Sequence, residues 1–269
     1  MKFALTFLIF AVAVTCYGQD SIIVKNEIQE NSLYRNEATS VSSTQLRVYY
    51  ETDPKKETIE SQFNSDSTHA IDLTTSGAAN VFGEIPMTSE YEHLHITDQD
   101  FSIPEDLVLH TRWDGTKSYF DSIQTNVTSA VHRAKLRRLF RFLVNNAYSP
   151  EFSIKKGDTA EVERVFSLPL GANGQVEVVC TYYYVLKDIQ GNIASFEMFA
   201  KGGAGDIRFE LFETNFSGSG ELKFDIKNRY FALVDFNITA KGKARKGREL
   251  ADLTIVMQYL QNTEFLGAC

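Results

Sequence analysis

The fold of this chain is decided by residues 174–200, which read GQVEVVCTYYYVLKDIQGNIASFEMFA. Every second residue from Val176 to Tyr184 is apolar or aromatic. Because successive side chains of a strand point to opposite faces, this period of two predicts a strand with one strongly apolar face. The Gly-Asn pair at 191–192 tolerates the backbone of a tight turn. We therefore expect Ile193–Ala200 to return along the first strand as a hairpin.

The same alternation recurs through the rest of the C-terminal half. We predict strands near residues 161–168, 207–211, 222–226, 232–238 and 253–259. Short strands separated by glycine-bearing turns indicate an antiparallel meander with one buried face. In the N-terminal half we predict strands at 46–50, 70–73, 91–96, 107–113 and 118–123, and loops at 53–56 and 64–68.

One helix is predicted, roughly from Thr128 to Ala147. Ser129 or Thr128 can cap its first turn, and Pro150 lies just beyond its end. At 100° per residue its apolar side chains fall in one arc, and five cationic residues lie along the rim and back. We therefore expect an α+β fold: a predominantly antiparallel, curved, half-barrel-like sheet with one long amphipathic helix packed on it.

Composition and charge bound the class of protein. Hydrophobic residues make up 43% and charged residues 23% of the 269, which excludes wholesale disorder and a multi-span membrane protein. Residues 19–125 hold 7 basic and 19 acidic residues (net −12), whereas 126–269 hold 19 and 16 (net +3). Opposite net charges favour contact between the halves. The acidic pI of about 5.2 disfavours a nucleic-acid partner, since phosphate binding needs a basic surface.

The N-terminus is typical of a signal peptide. Lys2 precedes an apolar run from Phe3 to Thr15, and Gly18 offers a cleavage point. Lipidation of Cys16 is the alternative. Later residues contain no run of 18 apolar residues, so we expect no transmembrane span after processing. The predicted location is exported: periplasmic, outer-membrane-associated or extracellular.

The predicted organisation has four parts. Residues 1–18 are a signal peptide, 19–125 an acidic β-rich part, 126–149 the amphipathic helix with a linker, and 150–269 the C-terminal meander. We expect the meander to form one domain with the N-terminal part. Cys180 and Cys269 either pair in the oxidising compartment or remain a buried hydrophobe and a free terminal thiol.

Two histidines form the best metal candidate. His93 and His95, two apart on a predicted strand, project from the same face and could share a zinc ion. His110 or Glu92 would have to complete the ligand set, but Glu92 is expected on the opposite face. A half-exposed face carrying two histidines is the favoured interpretation. We expect no metal and no cofactor, and the chain has no P-loop, dinucleotide, G-x-S-x-G or H-E-x-x-H motif.

Two basic segments could contact an anionic surface or an envelope protein. One is on the helix and the other in a glycine-rich loop after residue 240. Their contact candidates are Arg137, Arg138 and Arg141, and Lys243, Arg245 and Lys246. The alternative is a solvated helix face and a charged hairpin tip that protects the sheet edge from aggregation.

Three segments of the C-terminal half are KGDT at 156–159, YYYVLKDI at 182–189 followed by GNIA at 191–194, and SGSGELKFDIKN at 217–228. In these segments the chain resembles an uncharacterised family of secreted and lipid-anchored proteins of gram-negative bacteria. The resemblance covers residues 156–259. Such proteins look as if they repeat a G-D strand opening in their N-terminal half, and this chain has none before Lys156. The resemblance implies an extracytoplasmic location and leaves the function open.

Three functions remain after these exclusions. The first is a non-enzymatic binding or envelope-interaction protein that holds a lipid or another hydrophobic small molecule between sheet and helix. Its candidate cavity residues are Tyr182, Tyr184, Phe196, Phe209, Phe224 and Phe236, which otherwise fill the core. The second is a hydrolase whose acid and base carboxylates are dispersed in the sequence. The third is a structural or protein-interaction module without a small ligand.

Overall fold

The computed structural model describes residues 21–50, 52, 58–97, 103–145, 150–170, 174–204, 211–246 and 248–269. These residues form mostly antiparallel β-structure with one short helix. The strands are β1 (Ser21–Lys25), β2 (Ser32–Tyr50), β3 (Thr58–Ser76), β4 (Ile85–Ile96), β5 (Val108–Trp113), β6 (Ser118–Gln124), β7 (Glu151–Lys155), β8 (Thr159–Leu170), β9 (Gly174–Gln190), β10 (Ile193–Ala204), β11 (Leu211–Asp225), β12 (Tyr230–Lys246) and β13 (Glu249–Ala268), and the helix is α1 (Ala130–Asn145).

Eleven strands form one sheet in the order β6-β5-β4-β3-β2-β13-β12-β11-β10-β9-β8, and β1 pairs with β7 in a separate two-stranded sheet. Each half of the chain contributes a meander. The two meanders join where β13 pairs with β2, from Glu249 opposite Tyr50 to Ala268 opposite Ser32. The acidic N-terminal part and the C-terminal meander therefore share a continuous ladder of hydrogen bonds.

The predicted hairpin at the start of the C-terminal meander is confirmed. β9 and β10 pair from Ile193 opposite Gln190 onward. Gly191 in the turn has a φ of 59°, a left-handed value that glycine adopts without steric cost. Tyr182 and Tyr184 of β9 lie on the same face of the sheet, and both are buried there.

One face of the large sheet, which we call the inner face, carries both hydrophobic cores. At the C-terminal end lies the aromatic cluster, in which Tyr182, Tyr184, Phe196, Phe224 and Phe236 pack with aliphatic neighbours. The β1–β7 sheet covers this cluster. Val24 is fully buried in it, and the Phe152 ring stacks on Tyr184 with centroids 4.7 Å apart.

At the other end lies the helix cluster, in which α1 covers β5 and β6. It is formed by Leu107, Leu109, Ile123, Leu136 and Phe140. The predicted cap is confirmed, since the backbone N–H of His132 donates to Ser129 Oγ at 3.3 Å. Within the predicted apolar arc, Leu136 is fully buried but Leu143 is 47% exposed.

The predicted position of the helix is wrong with respect to the C-terminal meander. α1 follows β6 after five residues and folds back on that edge of the sheet. The aromatic cluster is covered by β1 and β7 instead. An amphipathic face predicts that a helix packs on something apolar, but it does not specify which strands.

Two predicted loops lie within strands. Residues 64–68 belong to β3, and Ser65 and Asp66 are exposed there, so polarity reflects open faces rather than a loop. The basic segment after residue 240 continues β12 to Lys246. Its small residues alternate with Lys241 and Lys243, which is strand periodicity that the glycines obscured. The predicted loop at 53–56 lies outside the described residues.

The two cysteines are free and far apart in the fold. Cys180 is buried on β9, whereas Cys269 is exposed after β13. Burial raises the pKa of the Cys180 thiol to about 11. Among the described residues, no helix has both the length and the apolar composition needed to cross a bilayer.

Candidate functional site

Five of the six aromatic candidates come together in the aromatic cluster, and Phe209 lies outside the described residues. Tyr184 and Phe224 are fully buried, and the Tyr182 and Phe236 rings contact each other with centroids 5.9 Å apart. Phe152 of β7 lies against Phe196 at 6.0 Å. These rings pack as a core under β1 and β7. The expected ligand site between these aromatics and the helix is therefore corrected: the helix lies at the opposite end of the sheet.

The basic candidates lie on two separate elements. Arg137 and Arg138 are exposed on α1, and the Arg141 guanidinium lies over the Phe120 ring, 5.5 Å from its centroid. Lys243 is half-buried on β12 opposite Asp252. The backbones of Arg245 and Lys246 belong to β12, while their side chains lie outside the described set. Five strands separate β6, the strand beneath α1, from β12, so the two basic segments do not form one surface.

The histidine candidates lie on the outer face of the sheet. His95 is opposite His69 of β3, and the His69 and His93 ring centroids are 4.8 Å apart. Glu37 Oε1 lies 3.5 Å from His69 Nε2. No group of three or more His, Cys, Asp or Glu within the described ranges has a geometry that could hold a metal ion. A shared zinc ion is therefore unsupported in this part of the chain.

A β-bulge corrects the expected orientation of Glu92. On β3, Ile71 pairs with His93 and the next residue, Asp72, pairs with Tyr91, so Glu92 is the extra residue of the bulge in β4. Glu92 Oε2 lies 3.7 Å from Arg35 Nε, and Arg35 is an outer-face residue. The extra residue in the bulged strand re-aims its neighbour, which strict alternation does not anticipate.

Between the two cores, the inner face of β2 and β3 carries a patch of small and polar side chains, and Tyr259 of β13 lies beside it. We call this patch the central strip, and it consists of Asn36, Ala38, Ser40, Ala70, Asp72 and Tyr259. All six side chains are half-buried. Within the described residues, β2, β3 and β13 pack with their neighbours in the sheet, and α1 and the β1–β7 sheet contact its ends.

Asp72 is the central charged group of this strip. Its Oδ2 accepts hydrogen bonds from Asn36 Nδ2 at 2.9 Å and from the Thr74 hydroxyl at 2.7 Å. Thr74 Oγ1 also lies 2.6 Å from Ser89 Oγ. Within the described part of the chain, Oδ1 has no hydrogen-bond partner. One carboxyl oxygen is thus fixed by its neighbours and the other is available.

Burial raises the pKa of Asp72, and the negative charge of Glu92 adds to this rise, against the hydrogen bonds from Asn36 and Thr74. The side chain is nevertheless only half-buried. The carboxyl group of Asp72 is thus desolvated and still partly accessible to water. Such a combination marks candidate functional positions more often than ordinary surface sites.

Two tyrosines flank Asp72. Tyr91 lies opposite Asp72 in the register, and its ring centroid is 5.8 Å from that of Phe140 on α1. Burial raises the pKa of Tyr91, and the charge of Asp72 raises it further. Its hydroxyl has no hydrogen-bond partner among the described residues. Tyr91 therefore links the helix cluster to the central strip.

On the other side, Tyr259 links the strip to the aromatic cluster. It lies opposite Ser40 on β2 and opposite Phe236 on β12. Burial and the charge of Asp72 raise the pKa of Tyr259 to about 12. Its hydroxyl lies 2.5 Å from Gln261 Oε1 and donates to it. The strip is thus flanked by one tyrosine on each side, Tyr91 and Tyr259.

A second carboxylate with a raised pKa does not accompany Asp72 among the described residues. The pKa of Asp188 is lowered to about 2, mainly by its hydrogen bond from Lys156, and that of Asp114 is lowered mainly by its hydrogen bond from Thr116. Asp114 lies in the exposed β5–β6 turn, and Asp188 near the end of β9. The pair of carboxylates that the hydrolase hypothesis requires is absent from the described strip.

The central strip is not apparent from the sequence because its residues are typical of loops. The one available signal is in residues 36–44, which read NEATSVSST. Every second residue of this segment is small or polar (Asn, Ala, Ser, Ser and Thr), and these residues lie on one face of β2. Tyr259 joins the strip from near the end of the chain because β13 pairs with β2, and hydrophobic periodicity does not reveal that pairing.

Comparisons with known proteins do not place the chain in a family. No family model matches it, and no curated protein matches it. Among solved structures, one match is a chain of the "CryoEM structure of ETEC Pilotin-Secretin AspS-GspD complex", at 9% sequence identity and a TM-score of 0.23. The match covers 99% of this chain and 54% of that chain, so this chain spans about half its length. At this TM-score the similarity supports no conclusion about fold or function.

Proposed function

We propose that this protein is an exported, non-enzymatic binding protein that holds a hydrophobic small molecule or lipid on the central strip. The observation that carries the proposal is a half-buried polar strip, on which no described element packs, between two covered apolar ends. Export is proposed because residues 1–18 are typical of a signal peptide. The site differs from the one that the sequence suggested, but the class of ligand is the same.

The shape of the inner face supports this proposal. Elements that pack on a sheet stand about 10 Å above it, so α1 and the β1–β7 sheet form walls on either side of the strip. Ala38, Ser40 and Ala70 form a floor of small side chains. A curved sheet, as the sequence predicts, would bring the two walls closer together over the strip.

The polarity of the strip supports a ligand with both an apolar and a polar part. Ligand sites are mostly apolar and contain a few convergent polar groups that orient the ligand. Tyr91 and Tyr259 present rings beside a hydrogen-bonding centre at Asp72. The apolar part would contact these rings, while the polar part would reach Asp72.

Binding of a neutral fluorescent probe tests the proposal. N-phenyl-1-naphthylamine should bind the mature chain, and Ser40→Trp should weaken that binding at least about tenfold, because an indole would occupy the floor of the strip. Ser43→Trp is the matched control. Ser43 lies on the outer face of the same strand, opposite Val256, and this change should leave the affinity within about twofold.

Two results would refute the proposed site. Either Ser40→Trp binds the probe as tightly as the unchanged protein, or the probe does not bind the unchanged protein at all. Denaturant unfolding of both variants shows whether a loss of binding reflects occupation of the strip or loss of the fold. Native mass spectrometry of the purified protein gives an independent measurement, since a retained lipid would appear as added mass.

A further inference from the structure

From the charges on the inner face, we propose that the central strip selects a ligand with a positively charged, hydrogen-bond-donating head group, an alkylammonium amphiphile. The inference rests on the proposed function and specifies the chemistry of its ligand. It predicts discrimination against amphiphiles with carboxylate head groups.

Asp72 has one carboxyl oxygen that a ligand could reach. Asn36 and Thr74 both donate to Oδ2, which leaves Oδ1 as an acceptor that faces no donor in the described part of the chain. Hydrogen bonds between charged partners are roughly twice as strong as neutral ones. An ammonium group would supply both the missing donor and the counter-charge for a desolvated carboxylate.

Charged side chains are segregated between the two faces of the sheet. On the inner face, the described side chains of β2, β3, β4, β12 and β13 include the acidic residues Asp72, Asp66 and Glu60 and no lysine or arginine. The described basic side chains of the same strands, including Arg35, Arg47 and Lys241, lie on the outer face. A carboxylate or phosphate head group would meet like charge and no cation on this strip.

Two tyrosines lie near Asp72 on the inner face. Tyr91 and Tyr259 both lie close enough to Asp72 for its charge to raise their pKa values. Tyrosine rings attract cations through their negatively charged faces. The Tyr91 hydroxyl, without a partner among the described residues, adds a second acceptor beside the carboxylate. Ring and carboxylate together favour an ammonium over a neutral hydroxyl.

The test uses three probes that share a chain length, namely decylamine, decanol and decanoate, at pH 7.5 and below their aggregation limits. Each displaces N-phenyl-1-naphthylamine from the mature protein. Decylamine should bind about tenfold more tightly than decanol, and decanoate should bind most weakly. In Asp72→Asn the preference for decylamine over decanol should fall to within about twofold.

Glu37→Gln is the matched control. It removes a carboxylate from the residue next to Asn36 but on the outer face, beside His69. The head-group preference should persist in this variant, which separates a local contact with Asp72 from a general effect of net charge.

The possible failures are distinguishable. If decanol or decanoate binds as tightly as decylamine, or if Asp72→Asn keeps the preference, the head-group inference is wrong and the binding function stands. If none of the three probes displaces N-phenyl-1-naphthylamine although that probe binds in a Ser40-dependent way, the inference is also wrong. If the naphthylamine itself does not bind, the proposed function fails and the inference fails with it.

Discussion

The aromatic cluster and the central strip lie on the same face of the same sheet, yet they differ in what covers them. In the cluster, the inward positions are large and buried, as at Phe196 and Phe224. In the strip, the inward positions are small or polar and half-buried, as at Ser40 and Asp72. β1 and β7 pack on the first region, and no described element packs on the second. Inward-pointing residues are therefore large and apolar where another element covers the sheet, and small or polar where none does.

The aromatic cluster and the central strip also differ in how they contribute to the free energy of unfolding. Burying apolar area at the cluster stabilises the fold at roughly 25 cal/mol per Å². At the strip, a carboxyl group with a raised pKa is desolvated without an opposite charge among the described residues. A group that opposes folding in this way is typical of a site that a ligand completes.

The largest expected change in stability comes from removing an inner-face aromatic side chain of the aromatic cluster, compared with an outer-face one on the same strand. Phe196 is 2% exposed on the inner face, whereas Phe199 of the same strand is 36% exposed on the outer face. Phe196→Ala should lower the free energy of unfolding by about 3–5 kcal/mol, and Phe199→Ala by about 1 kcal/mol or less. Denaturant unfolding measures both. Equal losses would show that the aromatic cluster is not the core of this end.

The next effect concerns the wall formed by the helix. Leu136→Ala should destabilise the protein by about 2–5 kcal/mol, because Leu136 is fully buried between α1 and β5–β6. Leu143, on the same helix, is 47% exposed, and Leu143→Ala should cost about 0.5 kcal/mol or less. Thermal and denaturant unfolding report both changes. A small loss for Leu136→Ala would contradict the docking of α1 on this end of the sheet.

The smallest expected change in the free energy of unfolding is an increase, and it comes from replacing Asp72 in the central strip. The pKa of Asp72 is raised in the folded state, so the folded protein binds its proton more tightly than the unfolded chain. The free energy of unfolding therefore falls as pH rises from the ordinary value of 3.8 through the raised value, and stays lower at neutral pH. Asp72→Asn removes this penalty and should stabilise the unliganded protein at pH 7.

Unfolding curves across a pH series measure this effect. The stability difference between Asp72→Asn and the unchanged protein should disappear below pH 3.8, where both states hold the proton. A variant that is less stable than the unchanged protein at pH 7 would mean that Asp72 supports the fold, and the contrast between cluster and strip would lose its basis.

The sequence predicted the antiparallel meander and the helix but missed the strip, for physical reasons. Around Tyr184 the inward residues are large and apolar, so the period of two is obvious. Around Ser40 both faces of β2 are polar or small, so the same geometry leaves little hydrophobic contrast to detect. Hydrophobic periodicity predicts strands that have a covered face, and it underestimates strands whose inner face is open.

The neighbours of Asp72 were also beyond prediction from the sequence. Asn36 and Asp72 become partners through the pairing of β2 with β3, and Tyr259 comes from a strand late in the chain that pairs with β2. The bulge at Glu92 reverses the parity of β4 and brings Tyr91 to the inner face. Each step depends on long-range register, which a local pattern does not encode.

The position of β13 has a consequence for how this protein assembles. As the last strand in chain order, it occupies the middle of the sheet between β12 and β2. Until residues 249–268 emerge from synthesis, β2 exposes an unpaired edge that another chain can capture. Closing so distant a contact is entropically slow. We therefore expect the large sheet to be completed only after residues 249–268 have been synthesised.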